Sequence, residues 1–191
     1  MTNIAVFLDR DGTINYDPGY LSDPEALKLF PGVASAIARL NAEGIKTIVV
    51  SNQSGIGRGL FTESMLAKVH ERLRDLLRNE AGATIDGIYY CPHHPDDGCQ
   101  CRKPRQEMLL RASHDLHLDI GRSYMIGDKA LDTMFAVNAG LKRLMVKTGH
   151  DHDVELNQLR EQGIQPHHIA DDLRMAIDWV LMDMRSNARQ L

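Results

Sequence analysis

The chain is predicted to be an α/β protein built on a parallel central sheet covered by helices on both faces. Three features carry this reading. Short apolar runs alternate with segments of helical periodicity, the runs are apolar throughout instead of alternating with polar residues, and polar clusters follow four of them.

IAVFL (4–8) reads as the first buried strand. PGVASAIARLNAEG (31–44) reads as a helix with Val33, Ile37 and Leu40 on one face and Gly44 as its stop, and IKTIVV (45–50) as the second strand. Thr62 is placed to cap a longer helix that buries Met65, Leu66, Val69, Leu73 and Leu76. IDGIYY (85–90) gives a third strand and RQEMLLRASHDLHL (105–118) a helix. SYMIG (123–127), LDTMFAVNAG (131–140) and LKRLMVK (141–147) follow as strand, helix and strand. The last third adds a helix near 153–162, a short strand at HHIA (167–170) and an amphipathic helix carrying Leu173, Ile177, Val180 and Leu181. No repeat or low-complexity linker interrupts this order, so residues 1–191 are expected to form one domain.

Composition narrows the function. With 22 Lys+Arg against 26 Asp+Glu and no basic run, nucleic-acid binding is not implied. MTNIAVFLDR lacks a basic region leading into a long apolar one, and no stretch approaches the ~18 uninterrupted apolar residues of a membrane span. A cytoplasmic protein with no membrane partner is expected, with a monomer as the default. All three cysteines fall within the eleven residues CPHHPDDGCQC, which fits a reduced, metal-binding use better than a disulfide framework.

In parallel α/β sheets ligands bind outside the carboxyl ends of the strands. Those places read DRDGT, SNQSGIGRG, CPHHPDDGCQCRKP and GDKALD, all polar. If the strands lie side by side, Asp9, Asp11 and Asp128 converge, an unfavourable arrangement unless a cation sits among them. Oxygen-only ligands favour Mg²⁺, and Arg102, Lys103 and Lys129 add positive charge at the same rim. An acidic metal cluster beside lysines suits phosphoryl transfer. SNQSGIGRG lacks the spacing of a nucleotide-binding loop and reads as a phosphate-contacting turn.

Together, DRDGT, VVSN, the lysine of CRKP and GDKALD resemble, in order, the four signature motifs of the haloacid dehalogenase (HAD) superfamily. The resemblance implies a three-layer, Rossmann-like HAD fold. It makes Asp9 the nucleophile that becomes an aspartyl phosphate, and Asp11 the acid toward the leaving alcohol and then the base toward water. Ser51 and Asn52 would contact the transferring phosphoryl group and Lys103 would neutralise it. Asp9, Asp128 and the Asp11 main-chain carbonyl would hold Mg²⁺, with Asp132 orienting its neighbours. Gly12 lets the backbone leave the strand sharply, and Thr13 can hold the turn.

Cys91, His93, Cys99 and Cys101 form C-x-H-x5-C-x-C, a closed tetrahedral shell for a structural Zn²⁺. His94 is the adjacent alternative, and spacing together with the resemblance favours His93. Such an ion would fold a loop poor in apolar residues and fix Arg102 and Lys103. The other histidines, His70, His114, His117 and His150 among them, are expected to be solvated.

Only 39 residues separate Asp11 from Ser51 and 51 separate Ser51 from Lys103, which leaves no room for a large cap domain. Within the superfamily the chain resembles the heptose bisphosphate phosphatases over nearly its whole length. FLDRDGTIN, GY at 19–20, SNQSGIGRG, DGIYYCPHHP, CQCRKP and GDK carry the resemblance, although the cysteine loop is shorter than in that family. It implies a small phosphorylated-sugar substrate, D-glycero-D-manno-heptose 1,7-bisphosphate, cleaved at C7 for ADP-heptose and lipopolysaccharide synthesis. Asp17, Pro18, Gly19, Tyr20, Ser51, Asn52, Gln53, Ser54, Arg102, Lys103 and Lys129 would contact it, with Arg102 gripping the phosphate that stays. Histidinol-phosphate phosphatase shares the motifs, but its substrate amine calls for an extra acid that the rim lacks. A phospho-receiver domain or a non-catalytic zinc-stabilised binding module are the alternatives of another class.

Overall fold

The computed structural model describes residues 2–188. Its strands are β1 (Ala5–Leu8), β2 (Lys46–Asn52), β3 (Gly87–Cys91), β4 (Tyr124–Gly127), β5 (Lys142–Val146) and β6 (His168–Ala170). They form one parallel sheet in the order β3-β2-β1-β4-β5-β6. The helices are α1 (Val33–Ala42), α2 (Ser54–Gly57), α3 (Glu63–Ala81), α4 (Glu107–Leu116), α5 (Ala130–Ala139), α6 (His152–Glu161) and α7 (Leu173–Ala188).

Alternation along the strands builds two cores, because successive side chains point to opposite faces. Val6 and Leu8 of β1 meet α1, α3 and α7 through residues such as Ile37, Leu73 and Ile177. Ala5 and Phe7 meet α4 and α5 through Met108 and Phe135 on the other side. α6 seals a smaller cluster of Ala130, Met145 and Leu159. The result is the expected three-layer α/β architecture with the Rossmann strand order. The order in which strands are added reverses between β1 and β4, the switch point outside which ligands bind in such sheets. Between β1 and α1 the chain has only a loop with a short 3-10 turn at Pro24–Ala26, and no inserted cap is present among the described residues.

Several local expectations shift. β2 runs to Asn52, because Ser51 and Asn52 pair with Tyr90 and Cys91 of β3, so these two cleft residues stand on a strand. β3 starts at Gly87 instead of residue 85; the Asp86 carboxylate accepts from the Thr47 amide and the Lys46 ammonium. Within SNQSGIGRG only SGIG (54–57) forms α2, and Gly57 has no room for a side chain, since a Cβ there would lie 2.3 Å from the His94 amide nitrogen. Thr62 caps α3 as expected, its hydroxyl accepting from the Met65 amide at 3.3 Å. The buried stripe of α3 is Leu66, Val69, His70, Leu73 and Leu77; Met65 is 39% exposed and Leu76 only half-buried, one position off that stripe. His70, expected in solvent, is therefore a core residue. No helix among the described residues is long and apolar enough to cross a membrane.

Phe135 is fully buried between α5 and the sheet. Phe135→Ala is expected to lower the unfolding free energy by about 3–5 kcal/mol, read from the midpoint of urea denaturation.

Candidate active site

Leu8 is paired with Val49 on one side and Ile126 on the other, so the next residues of β1, β2 and β4 emerge side by side. The Asp9 amide donates to the Ile126 carbonyl at 3.0 Å, which prolongs the ladder by one residue and fixes the Asp9 backbone. Lys103 arrives from the cysteine loop, fully buried, with Nζ donating to Asp9 Oδ1 at 2.8 Å, Asp132 Oδ1 at 2.6 Å and the Val50 carbonyl at 2.8 Å. Asp132 also accepts at Oδ2 from the Lys129 amide (3.1 Å), the reciprocal contact that caps α5. Its two oxygens are thus spent on orienting Lys103 and the helix.

Asp128 lies beneath the cleft floor. Thr13 Oγ1 donates to its Oδ1 at 3.2 Å and the His150 amide to its Oδ2 at 3.1 Å. Gly12, at φ +88°, is where the chain turns away; a Cβ there would come within 2.4 Å of Asp128 Oδ2. Asp9, Asp128 and Asp132 each offer an oxygen within 4.8 Å of the others. Burial, with Asp9 and Asp132 alongside, pushes the Asp128 carboxyl up to about 7. Burial likewise pushes Asp132 up to about 6 against the pull of Lys103. Lys103 itself resists burial and stays protonated, its pKa raised by Asp132 and Asp9. This oxygen-only donor set, with more buried negative charge than Lys103 offsets, fits a hard divalent cation such as Mg²⁺.

Asp11 is held differently. Its Oδ1 accepts from Arg10 Nε (3.0 Å) and Asn15 Nδ2 (2.9 Å), and its Oδ2 from Arg10 Nη2 (2.7 Å) and Gln53 Nε2 (2.9 Å). Burial opposes its charge, but Arg10, Asn15 and Gln53 outweigh burial and hold its pKa below the ordinary carboxylate value. Gln53 Nε2 also donates to Ser51 Oγ at 2.8 Å.

These groups open into a cleft of about 310 Å³ lined by Asp9, Asp11, Asp17, Gly19, Tyr20, Ser51, Asn52, Gln53, Ser54, Arg102, Lys103 and Lys129. Of the expected contacts, Pro18 does not line it, and Asp128 sits below its surface. Asn52 lines the cleft, yet both ends of its amide grip the Lys103 backbone: Oδ1 accepts from the Lys103 amide (3.0 Å) and Nδ2 donates to the Lys103 carbonyl (3.3 Å). Lys129 Nζ reaches Asp17 Oδ2 at 3.4 Å; burial works against its charge, but Asp9, Asp128, Asp17 and Asp132 together raise its pKa. Leu131 and His150 also line the cleft, unforeseen in the sequence. For His150 a signal exists: it follows β5, in the polar stretch TGHD, a strand end like the other four.

Next to this cleft, Cys91, His93, Cys99 and Cys101 bring their donor atoms within 4.8 Å of one another. Cys91 Sγ lies 3.5 Å from Cys99 Sγ and 3.6 Å from His93 Nδ1, and His93 Nδ1 lies 3.1 Å from Cys101 Sγ. A tetrahedral zinc with Zn–S of about 2.3 Å separates its ligand atoms by about 3.7 Å, whereas a disulfide needs about 2.05 Å, so the spacing fits a metal and no bridge. His94 stands outside the cluster; its Nδ1 accepts from the Asp96 amide at 3.3 Å and caps the Pro95–Asp97 turn.

With this geometry in place, known proteins can be set beside it. A family model described as HAD-hydrolase-like matches residues 100–176. D-glycero-D-manno-heptose-1,7-bisphosphate 7-phosphatase of Thermosynechococcus vestitus is 41% identical over 190 residues, covering 94% of this chain and 96% of that one. The chain belongs to the heptose bisphosphate phosphatase family of HAD-type hydrolases. The Escherichia coli K12 member, named for the β form of the substrate, is 44% identical over 153 residues, 76% of this chain and 80% of its own. The D,D-heptose 1,7-bisphosphate phosphatase of B. bronchiseptica, solved with magnesium and phosphate, superposes with a TM-score of 0.85 at 32% identity, covering 94% of this chain and 99% of that one. Family membership makes the chain a phosphatase.

The cysteine cluster generates one prediction. Added Zn²⁺ is expected to raise the melting temperature of the parent, and Cys99→Ser, which removes one of the four donors, to gain less from it, because a metal that closes such a cluster contributes folding free energy directly.

Proposed function

We propose that the chain hydrolyses the C7 phosphate of D-glycero-D-manno-heptose 1,7-bisphosphate through an aspartyl phosphate on Asp9. The observation that carries this reading is the placement of Asp9 at the switch point. One carboxylate oxygen is held by Lys103, and no donor is paired with the other among the described residues. Carried out by these residues, the reaction has two halves. The free Asp9 oxygen attacks phosphorus, the bond to the C7 oxygen breaks, and that oxygen takes a proton from Asp11; Arg10 keeps this carboxylate ionised in the free site, so its proton is taken up in the substrate complex, where the negative charge of the phosphate opposes Arg10. A water then gives its proton to Asp11 and attacks the phosphoryl group, which releases phosphate and restores Asp9. Lys103, Ser51 and neighbouring backbone donors face the charge that develops on the phosphoryl oxygens. Asp9, Asp128 and the Asp11 main-chain carbonyl would hold Mg²⁺, which supplies charge neutralisation when bound.

Arg102 explains the second phosphate. It lines the cleft, and the planar fork of its guanidinium suits two oxygens of a phosphate. A substrate with phosphates at both ends uses Lys103 at one and Arg102 at the other. One Zn²⁺ held by Cys91, His93, Cys99 and Cys101 would keep this pair in place. The placement of the enzyme in the cytoplasm, supplying the ADP-heptose route to lipopolysaccharide, belongs to the same proposal.

Asp9→Asn is expected to abolish turnover while keeping the melting curve and zinc content of the parent, and chelation of Mg²⁺ to stop the parent enzyme reversibly. Phosphorus found on a residue other than residue 9 after rapid quenching, or full activity in metal-free buffer, would contradict the mechanism. A substrate panel tests the chemistry of the cleft: both anomers of the heptose bisphosphate should exceed histidinol phosphate in kcat/KM. Arg102→Ala should cost the bisphosphate about tenfold or more while leaving a sugar monophosphate nearly unchanged.

A further inference from the structure

Arg10 stands between the two carboxylates of DRDGT, yet its side chain is fully buried on the side away from the cleft lining. Nε and Nη2 grip the two oxygens of Asp11 at 3.0 and 2.7 Å. Nη1 goes elsewhere, to His70 Nε2 at 3.2 Å. His70 comes from the middle of α3, where it occupies a place in the apolar stripe, 6% exposed, its ring 5.7 Å from that of Tyr90. Burial and the adjacent Arg10 and Arg74 hold the imidazole pKa down to about 3, so it is neutral and can accept a hydrogen bond through Nε2. An imidazole at a leucine position and a buried guanidinium are both expensive, and each is satisfied by the other.

We propose that Arg10 and His70 are positioning residues for Asp11: the imidazole fixes the guanidinium, and the guanidinium's planar fork fixes the rotation of the carboxylate that exchanges protons at the leaving oxygen. This rests on the acid and base role assigned to Asp11 above. Asn15 and Gln53 each hold one oxygen of Asp11, and neither alone sets the plane of the group. A bidentate partner does. Removing the imidazole acceptor leaves Nη1 buried and unpaired, so the guanidinium shifts and the carboxylate plane turns with it.

The dependence on leaving group separates positioning from a merely structural role. A sugar alkoxide must be protonated as it departs, whereas p-nitrophenolate departs without help, and kcat/KM reports every step up to phosphorylation of Asp9. In the Mg²⁺-loaded enzyme, His70→Leu should lower kcat/KM for the heptose bisphosphate about tenfold or more while changing that for p-nitrophenyl phosphate by less than about threefold. His70→Gln, which keeps an acceptor, should restore most of the loss. Equal losses on both substrates, or none on either, would overturn the proposal. Asp11→Asn serves as reference. If it too fails to discriminate between the substrates, the acid role itself is wrong; if it discriminates and His70→Leu does not, only the positioning role is. Should His70→Leu not fold by its melting curve, Arg10→Lys, which keeps the charge and loses the fork, decides by the same ratio.

Discussion

The ammonium of Lys103, buried between Asp9 and Asp132, is the interaction on which the site depends. Three carboxylates from two adjacent strand ends and a helix start crowd one small volume, and a single cation inside hydrogen-bond distance satisfies two of them. Asp128 is left over, with its carboxyl pushed up to about 7 by burial and by its neighbours. Buried charge of this kind contributes little to stability and much to a preset electrostatic field. The protein alone therefore leaves the charge unbalanced, and the imbalance has the sign and the oxygen ligands that a divalent cation would answer.

The fold makes such crowding inexpensive to build. In a parallel sheet all carboxyl ends face one way, so Asp9 after β1 and Asp128 after β4 become neighbours through ladder pairing alone. The helix that follows β4 then serves twice: Asp132 caps the first turn of α5 and turns its other oxygen to Lys103. Gly12 lets the first loop pass over Asp128 closely enough for Thr13 to hold that carboxylate. Each charged group is oriented by an element end that exists for another structural reason.

What is legible in the sequence, and what is hidden, follows from the range of the signals. Apolar runs broken by polar clusters report strand ends locally, so Asp9 and Asp128 stand out in the chain by their places, whereas Ser51 and Lys103 gain their roles only through the resemblance of the four motifs. C-x-H-x5-C-x-C is likewise local and marks the cluster, and it takes the family resemblance as well to prefer His93. The pairing of Arg10 with His70 spans 60 residues and leaves no periodic trace, because a buried histidine in an amphipathic helix looks like a polar interruption of the stripe. Periodicity also cannot choose between Leu76 and Leu77, adjacent positions that differ by one step around α3; tertiary packing selects the second. The resemblance gives Asn52 a phosphoryl contact, and nothing in the sequence shows that its amide also grips the Lys103 backbone, a contact made because β2 extends to meet β3 and carries Asn52 against the incoming loop.

That last contact shows how an irregular loop can deliver a group with the tolerance that chemistry demands, where a displacement of about 1 Å can cost a hundredfold in rate. Lys103 is anchored twice: two residues before it stands Cys101, within the cluster of three cysteines and His93, and its own amide and carbonyl are clamped by Asn52 on a central strand. Gly57 of α2 packs directly against the backbone at His94, so the other end of the cysteine loop is pinned as well. A four-ligand shell leaves no position open for substrate. Metal at the cysteines would therefore influence catalysis only through the placement of Lys103 and Arg102, a mechanical role distinct from the charge balance at Asp128.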